Sequence, residues 1–284
     1  MTARFDSVLG CIVGGAIGDV LGGVSERKSM SISDDTQFTL ATCEAITEAS
    51  GVRPETLAAA FLRWYRARAF SGLGSATLKA LRDLDAGAHW ALAGARGEMA
   101  AGNGSAMRIA PLAFVLDPLS TSDRVVIRDV CRITHHSDEA YVGALTVLLA
   151  IRFCNAVPPS GVSSFAAHLP DSRVRDRLLA FEDLSPDSAL ATVAGRFGSS
   201  GYVVETVPLA LFTAARITGP SFEALLGELV AAGGDTDTIG SIAGQVAGAR
   251  LGFSNIPAHL VGLPPVQAIV PAAEAFARTI SGGT

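Results

Sequence analysis

Glycine recurs at every fourth position of the stretch Gly240-Ser241-Ile242-Ala243-Gly244-Gln245-Val246-Ala247-Gly248-Ala249-Arg250-Leu251-Gly252. Residues four apart share one face of an α-helix, so the stretch predicts a helix with glycines along one face. A second run of glycines lies in the first apolar segment, at Gly10, Gly14, Gly15, Gly18, Gly22 and Gly23. Glycine lowers helix propensity, and tight packing must offset that cost. Both runs therefore predict central helices of a crowded bundle.

Helical periodicity extends along most of the chain. Apolar and small residues recur at three- and four-residue steps from Phe38 to Ala49, as in an amphipathic helix. Pro54 suits the first turn of the next helix. Similar patterns continue from Ser122 to Ile280, and alternating strand patterns are nearly absent. We predict an all-α fold, a compact multi-helix bundle in which residues 1–284 form a single domain.

The composition indicates the cellular compartment of the protein and limits its possible binding partners. The formal net charge is −5 at pH 7, so we expect no nucleic-acid-binding surface. The four cysteines lie among apolar residues without a Cys-x-x-Cys pair, which indicates reduced thiols rather than disulfides or a zinc site. The N-terminus lacks a signal-peptide pattern, and the longest uncharged apolar runs are too short to cross a bilayer. We expect a cytoplasmic protein without a membrane partner.

Two clusters combine carboxylates with hydroxyls in this apolar chain, Ser33-Asp34-Asp35-Thr36 and Asp235-Thr236-Asp237-Thr238. Each could cap the helix that follows it, since Ser and Asp are ordinary capping residues. A cap needs only one carboxylate, however, and neighbouring carboxylates repel each other unless a cation relieves them. Hard cations such as Mg²⁺, Mn²⁺ and Ca²⁺ prefer oxygen ligands. Together the clusters favour a metal centre, in which shared carboxylates could bridge two ions.

A glycine-rich loop, Gly102-Asn103-Gly104-Ser105-Ala106-Met107-Arg108, leads into a predicted helix. The backbone N–H groups of such a loop can bind an anion, although the pattern also fits a plain turn. Arg108 could contact a ligand or form an internal salt bridge. The adjacent histidines His135 and His136 have no further ligands at zinc spacing. His135 could form a hydrogen bond with a ligand, whereas His136 fits a polar position at a helix junction.

The order of these motifs resembles that of the ADP-ribosylglycohydrolases, of the dinitrogenase-reductase-activating glycohydrolase type. The matching motifs are, in order, Gly18-Asp19-Val20-Leu21-Gly22 with Glu26, Ser33-Asp34-Asp35-Thr36-Gln37, Gly102–Arg108 with Pro111, Thr134-His135, Gly201-Tyr202-Val203-Val204-Glu205-Thr206, and Gly233-Gly234-Asp235-Thr236-Asp237-Thr238. Any one motif is weak, but the ordered set is highly specific.

The resemblance implies an orthogonal helical bundle with two Mg²⁺ or Mn²⁺ ions in a cleft that binds ADP-ribose. By matching positions, the metal ligands would be Ser33, Asp34, Asp35, Asp235, Asp237 and Thr238. The substrate-binding residues would be Gly102, Asn103, Gly104, Ser105, Met107, Arg108, His135, Gly201 and Tyr202, with the Gly102–Arg108 loop facing the diphosphate. The catalytic carboxylates would be Asp34 or Asp35, as both ligand and general base, assisted by Glu26.

The chain departs from the family pattern just before the first acidic cluster. Only six residues, Arg27-Lys28-Ser29-Met30-Ser31-Ile32, separate Glu26 from Ser33. The family usually has a much longer loop here, which commonly carries the glutamate and covers the metals. The short loop implies a more open cleft and a changed role for Glu26.

We therefore expect a metal-dependent hydrolase that cleaves the N-glycosidic bond between ADP-ribose and a modified protein side chain, with arginine first among the candidates. Cleavage builds positive charge at the anomeric carbon, which a carboxylate can stabilise, and a carboxylate can also take a proton from water. Two alternatives stay open. One is a hydrolase for other ADP-ribose linkages, on serine, nucleic acid or small conjugates. The other is an immunity protein that neutralises an ADP-ribosyltransferase toxin partly by binding.

Overall fold

The computed structural model describes residues 2–24, 30–154 and 163–282. Its helices are α1 (Ala3–Gly22), α2 (Asp34–Ala49), α3 (Pro54–Arg66), α4 (Ser75–Asp85), α5 (Thr121–Arg132), α6 (Asp138–Phe153), α7 (Ser163–Ala166), α8 (Arg173–Ala180), α9 (Leu190–Phe197), α10 (Val203–Arg216), α11 (Phe222–Ala232), α12 (Thr236–Leu251), α13 (Ala258–Val261) and α14 (Pro264–Gly282). Short 3₁₀ turns span Glu98–Ala100, Asn103–Ser105, Ala110–Phe114 and Phe253–Asn255. The strands β1 (Ala95–Arg96) and β2 (His135–His136) pair in parallel. The all-α prediction is confirmed.

The two glycine-rich helices, α1 and α12, pack directly against each other. A methyl group added at Gly14 would overlap the carbonyl oxygen of Gly244, and one added at Gly18 would overlap that of Gly240. The backbones therefore touch, and any side chain larger than hydrogen would push the helices apart. The prediction of two central helices is confirmed, and the two helices pack against each other.

Helix α1 extends beyond the uncharged apolar run that it contains, and charged residues lie within its ends. Its 20 residues are long and apolar enough to cross a membrane, but 78% of the most apolar window is buried inside the protein. Its neighbours include α12 and α14. Packing within the protein thus accounts for the apolar character of the helix.

The two acidic clusters lie at the first turns of α2 and α12. Ser33 caps α2, because its Oγ accepts a hydrogen bond from the backbone N–H of Asp35. Asp235 precedes α12, but its side chain forms no capping hydrogen bond. The chain enters α12 through Gly233 and Gly234, both with positive φ (77° and 93°), which glycine adopts without strain. Capping therefore explains Ser33 and leaves the carboxylates at both helix starts for another role.

The glycine-rich loop differs from the prediction, because it does not lead into an α-helix. It forms a 3₁₀ turn at Asn103–Ser105, and the chain continues through a second 3₁₀ segment that contains Pro111. Proline has no N–H to donate to the carbonyl four residues earlier, here that of Met107. That carbonyl instead accepts a hydrogen bond from the side chain of Gln245 in α12 (2.7 Å). The loop is thus fixed to the central helix.

Candidate metal centre and substrate cleft

Carboxylates from three helices meet at one point of the bundle. Asp19 of α1, Asp35 of α2 and Asp237 of α12 each place one oxygen within 4.8 Å of the others. The hydroxyl of Thr238 lies 3.4 Å from Oδ2 of Asp35, so the second cluster touches the first directly. The fold has brought together the two clusters that the sequence separates.

A cavity of about 590 Å³ opens beside this centre, a volume typical of small-molecule sites. Its lining contains eleven of the residues expected at the site: Ser33, Asp34, Gly102, Asn103, Gly104, Met107, His135, Gly201, Asp235, Asp237 and Thr238. Small and polar residues complete the lining, among them Ser71, Gly72, Gly74, Ser75, Ala76 and Thr77. The expected metal-binding and substrate-binding segments therefore share one cleft.

Burial and mutual repulsion make the carboxylates of the cleft hard to ionise. Burial, and then the charge of Asp237, raise the pKa of Asp34 to about 7. Burial, and then a hydrogen bond with Asp237, raise the pKa of Asp235 to about 7. The pKa of Asp35 is also raised, first by burial and then by the charge of Asp19. Such a group of carboxylates is unfavourable as anions unless a cation balances it.

One oxygen atom of the centre is available as a ligand for such a cation. Oδ1 of Asp35 is buried and has no hydrogen-bond partner among the described residues. A buried carboxylate oxygen without a partner is costly, and a cation would satisfy it. The surrounding donors are carboxylate and hydroxyl oxygens, the ligands of Mg²⁺ and Mn²⁺ rather than of zinc. Ser33, Asp34, Asp35, Asp235, Asp237 and Thr238 could hold it.

Asp19 is a buried residue of the centre to which the sequence reasoning gave no role. Its carboxylate is 0% exposed and accepts hydrogen bonds from Ser33 and Thr36 at the start of α2. A signal was present in the sequence. Asp19 is the one charged residue in α1 after Asp6, and an isolated carboxylate in an apolar helix needs partners.

The glycine-rich loop is tied to the second acidic cluster. Nδ2 of Asn103 donates to Oδ2 of Asp235 (2.6 Å) and to the hydroxyl of Thr206 (3.0 Å). The backbone N–H of Asn103 donates to the carbonyl of Gly201 (3.0 Å), within an antiparallel bridge between Gly102 and Tyr202. The bridge joins the two segments that were expected to bind substrate and holds them along one wall of the cleft.

Arg108 and Ser105 lie behind the loop, in contrast to the expectation that they face substrate. The guanidinium of Arg108 is 1% exposed and donates to the carbonyl of Gly104 and the hydroxyl of Thr134. It also lies over the rings of Phe38 and Phe61. Ser105 is buried and donates to the carbonyl of Ala140 (3.2 Å). Arg108 thus satisfies a carbonyl of the loop itself, and Ser105 connects the loop to α6.

His135 is the side chain that the loop encloses. A methyl group at Gly104 would lie 2.8 Å from Cε1 of His135, so the ring requires the missing side chain there. Nδ1 of His135 lies 2.7 Å from the hydroxyl of Thr134. Burial, and then the charge of Arg108, lower the pKa of His135 to about 3. The ring is therefore neutral at pH 7. His136 lies outside the cavity, with Nε2 2.8 Å from the carbonyl of Ala93.

One expected site residue, Tyr202, lies at the margin of the cleft. The hydroxyl of Tyr202 lies 3.4 Å from a guanidinium nitrogen of the exposed Arg173, which donates to it. Tyr202 thus joins the cleft wall through its backbone bridge rather than through its ring. Glu26 lies outside the described residues, and so do residues 27–29 of the short loop before Ser33. Their expected roles stay predictions.

The all-α bundle, with buried carboxylates beside a cleft partly lined by glycines, agrees with the expected class of ADP-ribosyl hydrolases. The chain belongs to the ADP-ribosylglycohydrolase family, whose sequence model matches residues 1–282.

Relatives in other organisms agree with this assignment. The chain is 28% identical to ADP-ribosylarginine hydrolase Tri1 of Pseudomonas putida, over 90% of this chain and 72% of that protein. It is 25% identical to ADP-ribosylhydrolase ARH3 of Danio rerio, over 90% and 85% of the two chains. An uncharacterised protein of Archaeoglobus fulgidus is 29% identical, over 89% and 90%. The two relatives that are named as hydrolases support ADP-ribosyl hydrolase activity.

A solved structure has the same fold. It is described as an ADP-ribosylglycohydrolase-related protein complex, and it aligns with a TM-score of 0.70 at 28% identity. The alignment covers 99% of this chain and 100% of that chain. The expectations of fold and family are confirmed.

Proposed function

We propose that this protein is a metal-dependent hydrolase that removes ADP-ribose from arginine side chains of modified proteins. The observation that carries the proposal is the meeting of Asp19, Asp35 and Asp237 beside a cavity walled by the Gly102–Arg108 loop. The name of the Pseudomonas putida relative, an ADP-ribosylarginine hydrolase, supports arginine as the linkage.

Two Mg²⁺ or Mn²⁺ ions are the proposed cofactor. Residues of α2 and α12 would hold them, namely Ser33, Asp34, Asp35, Asp235, Asp237 and Thr238. When bound, such ions orient ribose hydroxyls and lower the pKa of water. Oδ1 of Asp35, which has no hydrogen-bond partner in the part of the chain that the structure describes, supports a cation here.

The loop residues would bind and orient the ADP-ribose. Gly102, Gly104 and Gly201 line the cavity and have no side chains, so a diphosphate or ribose can approach the backbone closely. Arg108 donates to the hydroxyl of Thr134, which leaves the hydroxyl proton for Nδ1 of His135. The neutral ring then carries its proton on Nε2 and can donate it to an oxygen of the substrate.

The carboxylates of the first cluster would divide the chemistry. Cleavage breaks the bond between the anomeric carbon and the guanidine nitrogen, and positive charge builds on the sugar. Asp34 lines the cavity and can take a proton from the water that bonds to the anomeric carbon, and that proton ends on the leaving guanidine nitrogen. Asp35 is 1% exposed and does not line the cavity. We assign the general base to Asp34 and a holding role to Asp35.

The test is release of ADP-ribose from an arginine-modified protein in the presence of Mg²⁺ or Mn²⁺, followed by chromatography. The double variant Asp34→Ala, Asp237→Ala should lose activity to background, because each substitution removes a proposed ligand. The exposed Asp187→Ala is the matched control and should keep full activity. Activity in the double variant would contradict the metal mechanism.

A panel of linkages tests the choice of arginine. The same assay with ADP-ribosylserine, ADP-ribosylated nucleic acid and a small conjugate should give little or no turnover. Turnover of one of these, with none of the arginine linkage, would replace the substrate and retain the hydrolase class.

A further inference from the structure

We propose that Asp19 is a positioning residue of the metal centre, and that it sets the direction of the Ser33 hydroxyl. The inference rests on the metal centre proposed above. Asp19 lies in α1, which supplies none of the proposed metal ligands, and it has no place in the mechanism so far.

Asp19 holds the first turn of α2 through four donors. The backbone N–H and the hydroxyl of Ser33 lie 2.9 Å and 2.7 Å from its two carboxylate oxygens. The backbone N–H and the hydroxyl of Thr36 lie 3.3 Å and 2.5 Å from Oδ2. Ser33 and Thr36 flank Asp34 and Asp35 in the sequence. The carboxylate therefore fixes the backbone on both sides of the two acidic residues.

The hydroxyl of Ser33 has a single proton and two carboxylates within reach. Its Oγ lies 2.7 Å from Asp19 and 2.9 Å from Oδ2 of Asp35. When the proton points to Asp19, a lone pair of Ser33 is left beside the Asp35 oxygen. Two oxygens that face each other without a proton repel each other unless a cation lies between them. Asp19 thus prepares an oxygen pair that suits a divalent cation.

The same helix also holds the second acidic cluster. The hydroxyl of Thr236, the first residue of α12, donates to the carbonyl of Gly22 (2.7 Å). One turn away, the backbones of Gly18 and Gly240 are in contact. Helix α1 therefore fixes α2 through Asp19 and α12 through its backbone. A change at Asp19 would disturb one half of the centre while the other half stays in place.

A direct ligand role for Asp19 is the competing explanation, since one of its oxygens lies within 4.8 Å of Asp35 and Asp237. A carboxylate offers about four lone-pair sites. Four donors from Ser33 and Thr36 already face those of Asp19, and the side chain is 0% exposed. Binding a cation directly would require breaking these hydrogen bonds, so positioning is the better account.

The test compares Mn²⁺ binding to the wild type and to Asp19→Asn, followed by electron paramagnetic resonance of free Mn²⁺. In asparagine one of the two acceptor oxygens becomes an NH₂ group, which donates. The amide oxygen must stay at the position of Oδ2, because the backbone N–H groups of Ser33 and Thr36 both donate there. The NH₂ group then faces the Ser33 hydroxyl, which accepts from it and turns its own proton towards Asp35. We expect the affinity for Mn²⁺ to fall by about 10- to 100-fold, with the number of bound ions unchanged.

Asp6→Asn is the matched control. Asp6 lies in the same helix and accepts hydrogen bonds from the backbone N–H (3.0 Å) and the hydroxyl (2.8 Å) of Ser254. The substitution thus removes the same kind of interaction at the end of α1 remote from the metal centre. Its Mn²⁺ affinity should equal that of the wild type. An equal fall in both variants would mean that Asp19 acts only on general stability, and would overturn the proposal.

Each remaining outcome has a definite meaning. Wild-type affinity in Asp19→Asn overturns the positioning role, and loss of one bound ion makes Asp19 a ligand and also overturns it. Absence of Mn²⁺ binding in the wild type instead contradicts the proposed metal function itself. If Asp19→Asn does not fold, Thr36→Val removes one donor and keeps the carboxylate. We expect roughly tenfold weaker Mn²⁺ binding there, and unchanged binding would overturn the proposal.

Discussion

Nδ2 of Asn103 lies 2.6 Å from Oδ2 of Asp235, a residue 132 positions further along the chain. This hydrogen bond connects the glycine-rich loop to the second acidic cluster. It is short and its acceptor is a carboxylate, so it belongs to the stronger class of hydrogen bonds. The loop that would bind substrate is therefore directly connected to the carboxylates that would bind metal.

Asn103→Ala should weaken hydrolysis by separating these two parts. A hydrogen bond to a charged group contributes about 1.5–3 kcal/mol, which corresponds to roughly 10- to 100-fold in rate or affinity. We expect a loss of this size in kcat/KM for release of ADP-ribose. Asn103→Asp should be worse, because it places a second carboxylate against Asp235. Equal activity of Asn103→Asp and the wild type would show that the bond carries no function.

Asp34→Asn should stabilise the metal-free protein at alkaline pH. The pKa of Asp34 is raised from 3.8 to about 7 in the folded protein. Its contribution to stability is therefore complete below about pH 4 and is lost as the pH rises through about 7, by up to about 1.4 kcal/mol per pH unit. Asparagine has no such loss, because it cannot ionise.

Urea unfolding after metal removal by a chelator is the measurement for this variant. Asp34→Asn should exceed the wild type in free energy of unfolding at about pH 8, and the difference should shrink towards pH 4. The exposed Asp187→Asn is the control and should show no such trend. A constant difference at every pH would mean that the ionisation of Asp34 is not the cause.

His135→Gln should flatten the loss of stability in acid. Burial lowers the pKa of His135 from 6.5 to about 3, so the folded state holds it neutral. Its stabilising contribution is complete above about pH 6.5 and is lost as the pH falls towards 3, again by up to about 1.4 kcal/mol per pH unit. Glutamine takes up no proton over that range.

The measurement is the free energy of unfolding at about pH 7 and about pH 5, and the quantity to compare is the difference between the two. That difference should be smaller in His135→Gln than in the wild type. His89→Gln changes an exposed histidine and serves as the control. The same slope in wild type and His135→Gln would mean that the ring is not held neutral.

Gly18→Ala should destabilise the protein through the contact of α1 with α12. The added methyl group would overlap the carbonyl oxygen of Gly240, and overpacking of a close contact costs about 1–3 kcal/mol. Gly227→Ala in α11 is the control, because a methyl group there meets no atom within 4 Å. It should stabilise the protein by about 0.5–1 kcal/mol, the helix advantage of Ala over Gly. Urea denaturation measures both, and a Gly18→Ala protein as stable as the wild type would refute the contact.

The sequence predicted those features that depend on local pattern. Apolar spacing indicated most helices, and the four-residue glycine spacing indicated two central ones. The surplus of carboxylates at Asp34-Asp35 and Asp235-Thr236-Asp237 indicated a centre that capping does not explain. Each of these signals lies within one stretch of chain, so no knowledge of tertiary contacts was needed to see it.

Other features depend on contacts between distant segments, and these were missed. The family resemblance placed Arg108 at the substrate, although its own pattern also allowed an internal role, and its side chain turns inward to the hydroxyl of Thr134 and to Phe61. Asp19 was given no role, because its partners Ser33 and Thr36 come from another helix. Helix α4 was not predicted at all. Side-chain direction is set by the fold, and a single sequence does not state it.

The close contact of α1 with α12 has a consequence for how the cleft can change. No side chain stands between the two helices at Gly14, Gly18, Gly240 and Gly244, so their separation is set by main-chain atoms alone. Where side chains fill an interface, smaller residues can bring two helices closer, but here no side chain is left to shorten. Asp19 of α1 and the second acidic cluster of α12 therefore lie on helices that are already at their closest approach. Variation in what the cleft accepts has to come from its loops.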